Sequence, residues 1–171
     1  MRWKQWTLTV LLLLVAAAIV AYGLGERLPA EHTFVASSTI NASQARVWEL
    51  IVNVDAQPSW RTGLKSVEEL PTDTGRRRWA EHYSGMRMSF VLLDNQPMTS
   101  RVVQMEPCGE PFDGSWTFQL LPQDDGRTAV TITEHGHIYS PLFRFISHYI
   151  TGDTYQQKRY LADLGRAVRN Q

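Results

Sequence analysis

FDGSWTFQLLP (residues 112–122) and GRTAVTITEHGHI (residues 126–138) decide the fold, because each alternates apolar with polar side chains. A period of two is typical of a β-strand with one face in a core and the other in solvent. Asp125-Gly126 in the connection is a favoured turn pair for a short hairpin. The pattern therefore predicts an antiparallel hairpin, whose inner face carries Trp116, Phe118 and Leu120 on one strand and Val130, Ile132 and Glu134 on the other.

Short alternating segments separated by turn residues continue this pattern upstream of the hairpin. Consecutive segments of this kind predict a meander of antiparallel strands. The predicted strands are residues 63–70, 76–84, 86–94 and 98–106, with a separate first strand at residues 32–40.

Two helical patterns lie between the first strand and the meander. Asn41, with Gln44 three residues later, resembles a capping box and predicts a helix start. Pro58 ends this helix and opens a second short one that carries Trp60. Apolar residues at helical spacing support the first helix: Val47, Leu50, Ile51 and Val54.

The last part of the sequence predicts one long helix. Ser140-Pro141 supplies an N-cap and a proline at the first helical position, and Gly152 is expected to kink the helix. The whole order is β-α-α-β6-α. Such an order predicts an α+β fold in which a curved antiparallel sheet wraps around the long C-terminal helix.

The N-terminal region has a different composition, because the 21 residues between Lys4 and Glu26 carry no charge. A helix of about 20 apolar residues spans a hydrocarbon core of roughly 30 Å. We therefore predict an N-terminal tail at residues 1–5, a transmembrane helix at 6–25, a linker at 26–31 and a folded domain at 32–171. One alternative is a cleaved signal peptide, although its apolar region is normally only about 7–15 residues long. The other is a buried core helix, since residues 10–20 leave no polar face for solvent.

The charges that flank the apolar run predict its orientation. Arg2 and Lys4 precede it, whereas Glu26, Arg27 and Glu31 follow it. Because positive charge is enriched on the cytoplasmic side of membrane spans, we expect a cytoplasmic N-terminus. The folded domain would then be extracytoplasmic, and periplasmic if the source is a Gram-negative bacterium.

The composition limits the class of protein. A chain of 171 residues has room for one ordinary domain, and its 43% hydrophobic residues are enough for a packed core. Its 17 basic and 17 acidic residues balance. No global positive field is available to collect nucleic acid, so we expect no nucleic-acid partner.

Three segments together resemble the START-like helix-grip superfamily: TINASQARVWELIVNVDAQPSWRTGLKSVEEL (39–70), GSWTFQLLPQDDGRTAVTITEHG (114–136) and SPLFRF (140–145). This superfamily, also called SRPBCC, includes polyketide cyclase/dehydrase-like proteins, lipid-transfer domains and plant Bet v 1 allergens. The resemblance covers about residues 32–170. It implies a cavity between the concave face of the sheet and the C-terminal helix, but it does not specify chemistry, because carriers and cyclases share the fold.

Large apolar side chains on the predicted inner faces suit such a cavity. Methionine and aromatic side chains are typical of adaptable apolar pockets, although each residue could equally fill a solid core. The residues that we predict to bind a ligand are Trp60, Met88, Phe90, Trp116, Phe118, Ile132, Glu134, Phe143 and Ile146.

Polar residues decide whether the cavity performs chemistry. Glu134 is in phase with Ile132, so its carboxylate could enter an apolar space, where desolvation would raise its pKa and suit acid/base work. The alternative is a strand-end carboxylate turned toward solvent. His82 is a weaker candidate, because strand alternation lets only one of His82 and Glu81 face inward. The sequence does not establish either Glu134 or His82 as a catalytic residue.

Other reactive residue types do not form a recognisable site. His135 and His137 could share a face with His148 in a metal site, but Gly136 loosens the pair. Cys108 lies in a Pro/Gly-rich loop without a local histidine, as an ordinary loop thiol would. We expect no metal and no cofactor.

The sequence thus leaves three functions open. We favour a membrane-tethered domain that binds a hydrophobic small molecule or lipid. A cyclase or dehydratase-like enzyme would use Glu134 or His82 as an acid or base in the cavity. A protein-interaction module of the cell envelope would instead need an exposed apolar patch and no open cavity.

Overall fold

The computed structural model describes residues 2–72, 75–107, 109 and 111–169. A long helix, α1 (Arg2–Glu26), comes first and is followed by strand β1 (Glu31–Ile40), helix α2 (Gln44–Val52) and a 3-10 helix (Val54–Ser59). The next strands are β2 (Ser66–Leu70), β3 (Arg78–Tyr83), β4 (Met86–Gln96), β5 (Ser100–Met105), β6 (Phe112–Pro122) and β7 (Thr128–Ile138). The last elements are helix α3 (Pro141–Phe145), a π-helical turn (Ile146–Thr151) and helix α4 (Tyr155–Ala167).

The strands form one antiparallel sheet of seven, in the order β1-β7-β6-β5-β4-β3-β2. Strands β6 and β7 form the predicted hairpin, and its register pairs Phe118 with Ile132 and Trp116 with Glu134. A register shift between Leu92 and Asp94 of β4 adds a bulge, which increases the local twist of a sheet. The predicted α+β helix-grip fold is confirmed.

The N-cap of helix α2 lies two residues after the predicted one. Ser43, not Asn41, is the N-cap, and its hydroxyl accepts a hydrogen bond from the amide of Arg46 at 3.4 Å. A serine three residues before a free amide satisfies one of the unpaired N–H groups of the first turn. Asn53 caps the 3-10 helix in the same way through Ala56.

The C-terminal region differs most from the sequence prediction, because the expected long helix is divided. Pro141 does occupy the first turn of α3. Gly152 has a φ of 85°, so the backbone turns into the left-handed region and the helical path stops instead of kinking. Helix α4 then restarts at Tyr155 and provides the helix that the sheet grips.

The core lies between the concave face of the sheet, α2 and α4. Ile132 of β7 and Leu164 of α4 are fully buried there, together with Val47 of α2. Helix α1 stays outside this core, because most of its apolar side chains are exposed. Among its described side chains, the buried positions are Ala21 and Gly25, in its last turns.

Candidate ligand-binding cavity

A cavity of about 500 Å³ lies between the concave face of the sheet and the C-terminal helical segments. This volume falls in the range of small-molecule sites, roughly 300–1,000 Å³. Alternation along the strands turns one side chain in two toward the cavity. Those in the wall include Met86, Met88 and Phe90 of β4, Val103 and Met105 of β5, and Trp116 and Phe118 of β6.

Most of the predicted ligand-binding residues lie in the cavity wall, namely Met88, Phe90, Trp116, Phe118, Glu134, Phe143 and Ile146. Two of the predicted residues do not. Ile132 is fully buried in the core, and Trp60 packs edge-on against Tyr160 with ring centroids 5.4 Å apart. A binding role for any of these residues stays a prediction.

His82 lies on the opposite face of the sheet from the cavity. The alternation that turns Trp79 and Glu81 inward turns His82 outward. Its Nε2 is 3.0 Å from the carboxylate of Glu68 on β2. His82 therefore has no access to the cavity from this position, because the sheet itself separates the two.

A buried ion pair joins the loop after the 3-10 helix to β3. Nη1 of Arg61 donates to Oε1 of Glu81 at 2.7 Å, and Nη2 donates to the hydroxyl of Tyr83 at 2.7 Å. That hydroxyl in turn donates to Oε2 of Glu81 at 2.8 Å. Each charge in this cluster therefore has a partner of opposite sign or a hydrogen bond, as buried charges require.

The electrostatics of this cluster follow from its burial and its pairing. Burial by itself would lower the pKa of Arg61, but the attraction of Glu81 and of the tyrosine oxygens raises that pKa above its ordinary value. Desolvation raises the pKa of Tyr83 and of Tyr160. Both phenols stay protonated at neutral pH and can donate hydrogen bonds.

Arg101 of β5 borders the same cavity in a different situation. It is only 3% exposed, and its Nη1 donates to Oδ1 of Asn95 at 3.1 Å. Its guanidinium carbon lies 5.6 Å from the centre of the Trp79 ring. Its Nη2 is buried and finds no acceptor among the described residues.

Glu134 of β7 points its carboxylate toward the cavity and not toward solvent. Gln157 of α4 donates a hydrogen bond to Oε2, and Nε2 of His32 lies 3.7 Å from Oε1. The carboxylate therefore joins β7 to α4 across the fold. The side-chain oxygen of Gln157, Oε1, is buried and has no partner in the part of the chain that the structure describes.

The polar residues of the wall were mostly missed by sequence reasoning. Arg61, Arg101 and Tyr160 are not among the predicted ligand-binding residues. Arg61 and Glu81 are 20 positions apart, so no local pattern predicts their pairing. Arg101 did carry a usable signal, because it alternates in phase with Val103 and Met105 on an apolar strand face.

The cavity reaches the molecular surface beside α3. Phe143 lines the cavity and is also 41% exposed, and its ring lies 6.2 Å from that of Phe112 at the start of β6. Large apolar side chains are exposed around this opening: Tyr139, Leu142, Tyr149, Ile150 and Tyr155. We call this set, with Phe143, the rim patch.

Helix α1 ends against α3, next to the opening. Nε of Arg144 donates to the carbonyl oxygen of Gly25 at 3.0 Å, and its guanidinium is 3.7 Å from the carboxylate of Glu26. A Cβ atom at Gly25 would overlap the carbonyl group of Pro141. The two helices can approach this closely because residue 25 is glycine.

The three histidines considered for a metal site, His135, His137 and His148, have separate partners. His135 contacts Thr33 at 2.9 Å, His137 stacks on Tyr139, and His148 pairs with Asp153. Within the described ranges, no group of three His, Cys, Asp or Glu residues has the arrangement of a metal site. Cys108 lies outside the described residues.

The fold and the cavity define a helix-grip domain, and comparison with known sequences identifies its family. Residues 31–169 match the family described as "Polyketide cyclase / dehydrase and lipid transport". The chain belongs to this family. No curated protein sequence matches the chain significantly.

Solved structures share the fold at low sequence identity. The Zhui aromatase/cyclase from Streptomyces sp. R1128 is 15% identical, with a TM-score of 0.63 over 81% of this chain and 94% of that one. Norcoclaurine synthase from Thalictrum flavum is 12% identical, with a TM-score of 0.64 over 82% and 88%. A START superfamily protein from Mycobacterium smegmatis is 14% identical, with a TM-score of 0.62 over 81% and 98%. At these identities the likeness concerns the fold alone.

Proposed function

We propose that this protein is a membrane-tethered domain that binds a hydrophobic small molecule or lipid in the cavity between the sheet and the C-terminal helices. The observation that carries the proposal is the cavity itself, about 500 Å³ with methionine and aromatic side chains along three strands. An apolar wall of this size favours an apolar ligand, since binding removes apolar surface from water. The family also includes proteins described as acting in lipid transport.

The membrane tether is helix α1. Residues Gln5–Glu26 form a helix long and apolar enough to cross a membrane, and only 11% of its most apolar window is buried within the molecule. A core helix of a globular domain would be mostly covered, which weighs against that alternative. Trp3 and Trp6 near one end and Tyr22 near the other are exposed, at the positions where aromatic residues flank membrane spans. Residues 32–171 form the tethered domain in this proposal, on the extracytoplasmic side.

The position of the opening supports access from the membrane. The rim patch lies on and beside α3, and α3 contacts the end of α1 through Arg144. If α1 crosses the bilayer, its last turn and the rim patch reach the same membrane surface. Exposed tyrosine, leucine and isoleucine side chains are stable at such a surface. An apolar ligand could then enter the cavity from the lipid without crossing water.

Native mass spectrometry of the full chain, released from lipid nanodiscs, tests the binding proposal. We expect a co-purifying apolar molecule at about one per chain. Phe118→Arg, which places a charge in the cavity wall, should remove the adduct, whereas Leu121→Arg on the exposed face of β6 should keep it. An adduct that survives Phe118→Arg in a folded protein would contradict binding in this cavity. The absence of any adduct, together with no rise in Tm from apolar compounds, would contradict the function itself.

A second function is favoured by one observation, the carboxylate of Glu134 at the cavity wall beside His32. Similar folds occur in an aromatase/cyclase and in norcoclaurine synthase, so a positioned acid or base could act on a bound ring-forming compound. Glu134→Gln separates the two functions. For a binding protein we expect nearly unchanged ligand affinity and a modest loss of stability, because a glutamine retains only part of the hydrogen bonding to Gln157. Lost turnover with an unchanged Tm would establish the enzyme instead.

A further inference from the structure

The charge of Arg101 and its lack of a partner indicate more about the ligand than the apolar wall of the cavity does. Arg101 is 3% exposed and lies in the cavity wall. A guanidinium offers five N–H donors and stays charged at any physiological pH. Nη2 nevertheless has no acceptor there, and Nη1 bonds only the neutral amide of Asn95. Desolvation lowers the pKa of this guanidinium.

The acidic groups of the cavity wall are already engaged elsewhere. Glu81 is bound by Arg61, and Glu134 accepts from Gln157. Asp113 accepts from the hydroxyl of Tyr139 at 2.5 Å, and Asp153 pairs with His148. No carboxylate among these is bonded to Arg101. A buried positive charge is thus left without a negative partner, a situation that folded proteins generally avoid.

Arg101 also lies at the inner end of the cavity. Its register partner on β6 is Phe118, whereas the opening lies beside Phe112. Six residues of β-strand separate these two positions, a distance of about 20 Å. Aromatic and methionine side chains line the wall between them. A ligand that fills the cavity therefore meets an unpaired cation at the inner end and, toward the opening, aromatic and methionine side chains beside polar groups that are already paired.

We infer that the ligand of this cavity is an amphiphile with a single carboxylate, inserted head-first so that the carboxylate bonds Nη2 of Arg101 and the apolar part extends toward the opening. This inference rests on the proposed binding function. One unpaired guanidinium matches one negative charge, whereas a phosphate monoester carries nearly two. A hydrogen bond between two charged groups is stronger than one between neutral groups. The ligand head would thus supply the acceptor that the protein lacks.

Isothermal titration calorimetry of the full chain in phosphatidylcholine nanodiscs tests this inference, with empty nanodiscs as the reference. The probes are 2-naphthoate, 2-naphthylmethanol and 2-naphthyl phosphate, which share one apolar part and differ in the head group. We expect 2-naphthoate to bind at least about tenfold more tightly than the alcohol, because its head makes a charge-assisted hydrogen bond. The phosphate should bind more weakly than the carboxylate.

Arg101→Met should remove the preference for the carboxylate and leave the affinity for the alcohol nearly unchanged, and Arg101→Lys should retain part of the preference. Arg127→Met is the matched control, because Arg127 is an exposed arginine paired with Asp125 in the β6–β7 turn. Arg101→Met should also keep or raise the Tm, since it removes an unpaired buried charge. If it does not fold, Arg101→Lys and the wild-type preference decide.

The possible failures are distinguishable. Equal affinity of the wild type for carboxylate and alcohol overturns the inference about the head group and leaves the binding function standing. A carboxylate preference that persists in Arg101→Met also overturns it. Binding of none of the three probes, together with no apolar adduct in mass spectrometry, overturns the proposed function as well.

Discussion

Two arginines at the cavity wall stand in opposite electrostatic situations, although each is buried beside an aromatic ring. Arg61 is paired with Glu81 and packs over Tyr160, whereas Arg101 packs over Trp79 without an acidic partner. Because it is paired, Arg61 connects the loop after the 3-10 helix to β3. The second remains available to a ligand. We propose that the same residue type serves stability in one place and ligand recognition in the other.

Breaking the Arg61–Glu81 pair should strongly destabilise the fold. Glu81→Gln leaves the charge of Arg61 buried and uncompensated, a change that typically costs about 3–5 kcal/mol. For a chain of this size, this predicts a fall in Tm of at least about 6 °C. The measurement is thermal unfolding of the full chain in nanodiscs, followed by tryptophan fluorescence.

Glu68→Gln on the neighbouring strand is the control for this prediction. Glu68 is an exposed carboxylate whose partners, His82 and Arg87, also lie at the surface. Its replacement should leave the Tm nearly unchanged, because exposed ion pairs contribute little. Equal Tm values for the two variants would show that the Arg61–Glu81 pair does not support the fold.

For single residues, the sequence predicted which side chains face the cavity where strand alternation decides it. It missed the side chains whose position depends on partners from distant elements. Trp116 and Phe118 line the cavity because the period-two phase of β6 places them there. Glu81 faces inward because Trp79 does. Nothing local, however, distinguishes a paired arginine from an unpaired one. That difference depends on the folded positions of Glu81 and Asn95.

Among the secondary-structure elements, strands were predicted more closely than helices. The bounds of β6 match the predicted strand at residues 112–122, because alternating apolar residues and turn signals fix both of its ends. The C-terminal region was predicted as one long helix kinked at Gly152, since its apolar residues keep helical spacing on both sides of that residue. The left-handed backbone at Gly152 interrupts it, and apolar spacing alone does not reveal that break. The division leaves α3 and the π-helical turn as a separate element at the cavity opening.

The docking of α1 on α3 should depend on Gly25 and not on Gly23. Gly25→Leu places a side chain where the Pro141 carbonyl lies, so α3 must move away. Gly23 has no neighbouring atom within 4 Å of an added Cβ, and Gly23→Leu is therefore the matched control. We expect Gly25→Leu to accelerate amide hydrogen exchange in residues 141–151 while α4 stays protected. Equal exchange in both variants would contradict the contact between α1 and α3.

The whole molecule combines an apolar helix with a globular domain, and α1 contacts that domain through α3. We predict that the full chain stays in the membrane fraction after alkaline carbonate extraction, because a spanning helix of about 20 apolar residues is effectively irreversibly inserted. A reporter fused after Gln171 should be active outside the cytoplasm. Release by carbonate would contradict the span, and an active cytoplasmic reporter would reverse the orientation.

The connection between α1 and β1 has a consequence for how far the domain can travel. Residues 27–30 separate the two elements, and four extended residues reach at most about 14 Å. With α1 in a bilayer, this short connection keeps the start of the domain close to the lipid surface. The domain could not then carry a ligand through water to a second membrane. A ligand in the cavity would be exchanged with the bilayer that holds α1. Transfer elsewhere would require a partner protein that binds to the domain at that membrane.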